Sequence, residues 1–185
     1  MVDGKITQSY EREYVIALNP NHPEHLMPDV PHHVRSILDV GCGAGSQLAA
    51  IHTRYPHVTR LVGVDADEAA IAWGRQRWPH LTLFALRAEE MFMMARLYDL
   101  VMSRRGLPYM DVARVIPLMA RGLRPYGRLW LVTHTWRTML REIWRAQRVT
   151  FQTERQMRAL LEQAGCRGIT YQTRGPLAII TAEGR

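Results

Sequence analysis

Three glycines at alternate positions, Gly41, Gly43 and Gly45, sit between an apolar run and a helical pattern in ILDVGCGAGSQLAA. Without β-carbons the loop lets a ligand lie against the backbone and takes positive φ freely. The helix that begins near residue 46 adds N–H groups with no partner of their own. Two carboxylates flank this loop. Asp39 stands just before Gly41, and Asp65 lies twenty residues beyond Gly45, closing LVGVD. A carboxylate at the second position accepts both hydroxyls of a ribose; taken alone it serves equally as a helix cap. Loop and acid together point to a ligand with an adenosine-like group.

Spacing narrows the ligand. A dinucleotide fingerprint places its third glycine three residues after the second, whereas here the pattern is G-x-G-x-G and position 46 is Ser. Asp39 would repel a pyrophosphate and attract an ammonium group. Both features disfavour a nicotinamide-dependent oxidoreductase. Farther along, Arg104 and Arg105 are suited to clamp a carboxylate or phosphate, or are solvated loop arginines. Tyr109 is a candidate for orienting an acceptor. His134 has the intrinsic pKa of a general base, or else caps or packs under the next helix. His22, His25, His32 and His33 have His-x-x-His spacing without a cysteine and among prolines, so no metal is expected. Cys42 and Cys166 read as small packing residues with no partner that would make either a nucleophile.

The elements that must position these residues follow from periodicity. An amphipathic helix is expected over 6–18, then an irregular arm containing Pro20, Pro23, Pro28 and Pro31. Strands are expected over 35–40, 59–64, 81–86, 98–103 and 127–133. Helices alternate with them over 46–55, 67–77 (capped by Asp67) and 110–123 (interrupted by Pro117), with a short helix or turn over 88–95. Two further helices over 136–148 and 153–164 lead into a final pair of strands around Gly175-Pro176. Strand–helix alternation with near-continuous aliphatic strands implies an α/β fold: a doubly wound, mostly parallel seven-stranded sheet with helices on both faces and an antiparallel C-terminal hairpin.

On these residues the chain resembles the class I S-adenosylmethionine-dependent methyltransferases. ILDVGCGAG resembles their first motif, LVGVDAD their second, and LRAEEM, YDLVMSR and GLRPYGRLWLV the segments at strands three to five. The resemblance runs over about residues 34–182. It implies S-adenosylmethionine as cofactor, with Gly41, Cys42, Gly43 and Gly45 along its methionine part and Asp39 at its ammonium. Asp65 would bind the ribose, Ala66, Ala88 and Glu89 would border the adenine, and Ser103 and Arg104 would lie near the sulfonium. Arg87 departs from the family, many of whose members have Asp there. The loop after the fourth strand lacks the Asn/Asp-Pro-Pro-aromatic signature of enzymes that methylate exocyclic amino groups of bases. His134, Tyr109 and Arg105 are the candidates for acting on the acceptor. Residues 1–34 are expected to form a cap and 35–185 the methyltransferase domain, with Tyr10 and Tyr14 closing over the cofactor.

Composition sets the outer bounds. The 185 residues are 47% hydrophobic and 22% charged, which suits one globular domain. No apolar run is long enough to span a bilayer, and the N-terminus lacks a signal-peptide core, so a cytoplasmic protein is expected. The net charge of +7 is uneven: residues 1–92 carry −3 and residues 93–185 carry +10. That asymmetry suits an anionic partner. A small or medium-sized acceptor is the preferred expectation, and a carboxylate or phosphate on it would suit the basic second half. RNA is the alternative, and a non-catalytic binding subunit a further one. The helix over 136–148 sets Trp136, Met139, Leu140, Ile143 and Trp144 opposite four arginines. It suits packing on its own domain or a homodimer partner, or a lid or docking surface.

Overall fold

In a computed structural model, residues 4–93, 97–135 and 150–185 are described. The helix expected over 136–148 lies outside them. Seven strands form one sheet: β1 (Ser36–Val40), β2 (Arg60–Asp65), β3 (Thr82–Ala85), β4 (Tyr98–Arg104), β5 (Leu123–His134), β6 (Arg167–Arg174) and β7 (Leu177–Glu183). Their order is β3-β2-β1-β4-β5-β7-β6. The first five strands are parallel, and β7 pairs antiparallel with both β5 and β6. The expected doubly wound sheet with its C-terminal hairpin is therefore present. The order reverses between β1 and β4, and ligand crevices open at such a switch point, beyond the carboxyl ends of the strands.

Period-two alternation sends successive side chains to opposite faces. Leu38, Val101, Leu129 and Leu131 enter one core with Val115, Ile116, Met119 and Leu161. Those partners come from α4 (Val112–Gly122) and α5 (Glu154–Gln163). Ile37, Leu100, Met102, Trp130 and Val132 enter the other, with Leu48, Ile51 and Ile71. These belong to α2 (Ser46–Arg54) and α3 (Glu68–Arg77). The Pro-rich segment has no regular structure, yet Leu26, Val30 and Val34 are buried in this second core. Ahead of it, α1 (Gly4–Leu18) packs along α2, with Tyr14 hydroxyl 3.2 Å from Thr53 Oγ1.

Local chemistry explains most boundaries. Asp67 caps α3 by accepting from Ala70 N–H at 3.0 Å, as the sequence suggests. Thr153 and Gln156 form a reciprocal capping box at the start of α5. Two expectations need correction. Pro117 does not interrupt α4, which runs through it from Val112 to Gly122. A mid-helix proline costs about 3 kcal/mol, but Val112, Val115, Ile116 and Met119 are all buried. Each such side chain contributes roughly 1.5–3 kcal/mol, so burial on both sides of the proline wins. Strand β5 also starts earlier than its apolar run: Leu123 already pairs with Tyr98, and the register shifts before Leu100 meets Arg128. Tyr126, at φ 64°, lies in that irregular stretch. Among the described residues no helix is long and apolar enough to cross a membrane.

Candidate active site

A cavity of about 360 Å³ opens where β1, β2 and β4 end. Its floor is the glycine loop. Gly41 and Cys42 both donate N–H to Val64 O, at 2.8 and 3.1 Å, stitching the loop to the end of β2. Gly41 and Gly45 hold φ of 76° and 87°, which L side chains rarely adopt. Gly41, Cys42 and Gly43 line the cavity. Gly45 does not; it is the left-handed residue at the start of α2, and a β-carbon there would press on Leu81 and Leu83. Its part is to turn the chain into the helix.

Asp39 is the least expected side chain to find buried here. It is 2% exposed, lines the cavity, and its Oδ1 has no hydrogen-bond partner. Burial pushes its carboxyl up to about 7; the neighbouring Arg104 pulls the other way, while Asp65 and Glu13 add to the rise. Beside it Gln47, the second residue of α2, donates from Nε2 to Leu26 O at 3.0 Å and leaves Oε1 buried without a partner. Two residues that line the cavity thus each hold a buried acceptor oxygen without a donor. Buried acceptors without donors cost free energy unless a ligand supplies the donor, and an ammonium supplies up to three.

Asp65 lines the same cavity and is already engaged. Its Oδ2 accepts from Gly43 N–H at 2.7 Å and its Oδ1 from Asp67 N–H at 2.9 Å. Each oxygen keeps a lone pair for a ligand hydroxyl, so the carboxylate both fixes the loop and faces the cavity. Ala66, Leu86, Arg87, Ala88 and Glu89 continue the wall. Glu89 Oε1 accepts from Asp111 N–H at 2.9 Å, with Arg87 Nε 3.7 Å from its other oxygen. Burial raises the Glu89 carboxyl, but the N–H groups of Asp111 and Glu89, with Arg87 and Arg114, outweigh it and hold the group below its usual range.

The opposite wall comes from the end of β4 and from α1. Arg104 is held by Glu13 at 3.3 Å, and both line the cavity with Tyr10. Tyr10 stacks near Trp73 at 5.5 Å between ring centres, and its carbonyl accepts from Ser46 Oγ. Tyr14 instead packs on Trp78 and does not line the cavity, so only the first of the two expected tyrosines closes over it. Arg105, Gly106, Tyr109 and Met110 complete the rim, with Tyr109 74% exposed. Ser103 is fully buried beneath Gly106 and His134 ends β5; neither lines the cavity.

Sequence reasoning missed Glu13, Gln47 and Met110. Gln47 carried a signal, because the first turn of a helix that follows a glycine loop faces the same ligand as the loop. Glu13 lies three residues after Tyr10 on one helix face, a spacing that shares a surface.

Comparison with known proteins bears on the domain and its fold. Residues 37–127 match the methyltransferase-domain family. A trans-aconitate 2-methyltransferase of Yersinia pestis (strain Pestoides F) is 30% identical over 94 residues, 50% of this chain and 36% of that protein. The chain thus aligns with little more than a third of the length of that curated relative. Among solved structures, a Haloferax volcanii methyltransferase in complex with the Trm112 methyltransferase activator superposes with a TM-score of 0.78 at 14% identity, covering 98% of this chain and 94% of that one. Human N-acetylserotonin methyltransferase in complex with S-adenosylmethionine gives 0.69 at 15% identity, covering 97% and 55%.

Proposed function

We propose that this chain, whose residues 37–127 match the methyltransferase-domain family, is a class I S-adenosylmethionine-dependent methyltransferase that methylates a small or medium-sized anionic acceptor held at the rim between α1 and the loop after β4. The carrying observation is Asp39, a buried carboxylate in the cavity with one oxygen unmatched. Asp39 and Gln47 receive the cofactor's ammonium, and the backbone of Gly41, Cys42 and Gly43 lies along its methionine part. Asp65 takes the ribose hydroxyls, while Ala66, Leu86, Ala88 and Glu89 border the adenine. Arg87, 66% exposed at its side chain, flanks that end. Bound there, S-adenosylmethionine supplies a methyl group on a sulfonium, already activated for displacement.

The chain's own task is to position the acceptor, since placing reacting atoms about 3 Å apart provides much of the rate. Arg105 and Tyr109 lie at the rim where an acceptor would enter, and the N-terminal segment serves as the cap through Tyr10 and Glu13 of α1. His134, outside the cavity lining, is assigned no role. The anionic class is supported by Arg105 and by the relative named for an organic acid anion, trans-aconitate.

Two measurements test this reading. Transfer of labelled methyl from S-adenosylmethionine to a panel of small organic acids is expected to label at least one of them and no neutral amide counterpart; labelling of amides alone, or of mixed RNA alone, overturns the acceptor class. Asp65→Asn is expected to weaken S-adenosylhomocysteine binding at least tenfold by calorimetry, because the amide cannot accept the Gly43 and Asp67 N–H groups and a ribose diol together. Unchanged affinity removes Asp65 from the ribose.

A further inference from the structure

Past Glu13, Arg104 and Arg105 the main cavity continues into a polar cleft of about 150 Å³ against α1, walled also by Arg12, Ile16 and Glu24. Two of its three arginines are matched: Arg104 by Glu13 at 3.3 Å and Arg12 by Glu24 at 3.8 Å. Arg105 is not matched among the described residues, and its buried Nε has no hydrogen-bond partner. Burial, then the adjacent Arg104, disfavour its charge, against weaker support from Glu13 and Glu24. Arginine stays protonated regardless. The backbone also holds it in place at φ 65°, a left-handed conformation that is strained for a non-glycine residue, pinned by Arg105 N–H to Val132 O at 2.7 Å.

We propose that Arg105 anchors a single carboxylate of a monoanionic acceptor seated in this cleft, an inference that rests on the methyl-transfer reading above. Arg104 takes no part in the grip, because Glu13 holds it. The charges of the described residues that line the cleft select one negative charge: a phosphate dianion or a second carboxylate would face Glu13 and Glu24 with no further unpaired cation among those residues to meet it. A planar guanidinium pairs with a planar carboxylate through two parallel hydrogen bonds, and Nε is one of the donors that such a pair uses.

The test uses the full chain, with and without saturating S-adenosylhomocysteine, and follows arginine Nε–H resonances by nitrogen-15 NMR. The Arg105 signal is identified by its loss in Arg105→Gln. Butanoate is expected to shift that signal saturably at millimolar concentration, and butanamide to leave it in place. Arg105→Gln should weaken butanoate binding at least tenfold. Arg105→Gly, which relaxes the positive φ and so protects the fold, should do the same. No saturable shift with butanoate overturns the site; glutarate or inorganic phosphate binding tenfold more tightly than butanoate overturns its monoanionic character. Calorimetry with S-adenosylhomocysteine on the same protein tests the cofactor assignment separately, because the Arg105 signal reports on the carboxylate site whether or not the cofactor product binds.

Discussion

Asp39→Asn is expected to unfold at a higher temperature than the parent chain at pH 8, and to lose the cofactor. The reason is the cost of an ionised carboxylate that is 2% exposed with one oxygen unmatched. Burial pushes its carboxyl up to about 7 in the fold from 3.8 ordinarily, with Arg104 lowering it and Asp65 and Glu13 adding to the rise. A folded-state value above the unfolded one means that the fold gains from the bound proton below about pH 3.8 and loses that gain as pH climbs through about 7. At about 1.4 kcal/mol per pKa unit the loss is on the order of 4 kcal/mol, an upper bound. A neutral amide of the same shape removes much of it. Half of that bound corresponds to about 4–8 °C in a chain of this size. The difference should shrink as pH falls toward 4. Binding moves the other way: without the carboxylate, S-adenosylhomocysteine affinity should drop about 100-fold, as for removal of one partner from a buried charged pair. Thermal scans at pH 5 and 8 with calorimetry at pH 8 measure both. Equal unfolding temperatures at pH 8 would mean that the charge of Asp39 is already compensated in the free protein.

Gly74→Ala should destabilise the chain even though alanine is the better helix former by about 1 kcal/mol. Gly74 faces the glycine loop from α3, and an added β-carbon would overlap the Ala44 carbonyl oxygen while standing 2.8 Å from Leu83 Cδ1 and 2.9 Å from Ala44 C. Two of these atoms are backbone, so no rotamer change relieves the clash; either α3 or the loop must move. Overpacking of this kind costs typically 1–3 kcal/mol and occasionally more, which outweighs the propensity gain. A displaced loop also carries Gly43 away from Asp65, whose 2.7 Å bond fixes it. Chemical denaturation should show a net loss of about 1–2 kcal/mol, with S-adenosylhomocysteine affinity reduced at least tenfold. A variant as stable as the parent would show that the approach of α3 to the loop is not tight in solution.

The contrast between these two residues shows what the sequence discloses. Asp39, the glycines and Asp65 are legible because strand end, turn and helix start are local events, read from a few dozen residues. Gly74 is silent: nothing in EAAIAWGRQR says that its neighbour is Ala44, because that contact exists only once α3 lies across the loop. The same holds for Glu13, which meets Arg104 across the fold, and for Glu89, whose oxygen is taken by Asp111 N–H. The two arginines read from sequence as a joint clamp separate on folding into one that is paired and one that is not. Pro117 and the early start of β5 depart from local preference for a related reason: burial of Val115, Ile116 and Met119 carries α4 through the proline, and pairing of Leu123 with Tyr98 begins β5 early.

The site stands or falls on Asp39 reading an ammonium, and the pH dependence of two affinities measures that directly. S-adenosylhomocysteine carries the amino-acid group and methylthioadenosine lacks it, while both keep the adenine and ribose. Calorimetric titration between pH 5.5 and 8.5 should show the first gaining about tenfold per pH unit until about 7 and then levelling, as Asp39 gives up its proton. The second should bind more weakly and change little with pH. Parallel profiles for the two ligands, or a flat one for S-adenosylhomocysteine, would take Asp39 out of the ammonium's reach and leave the cavity without its anchor.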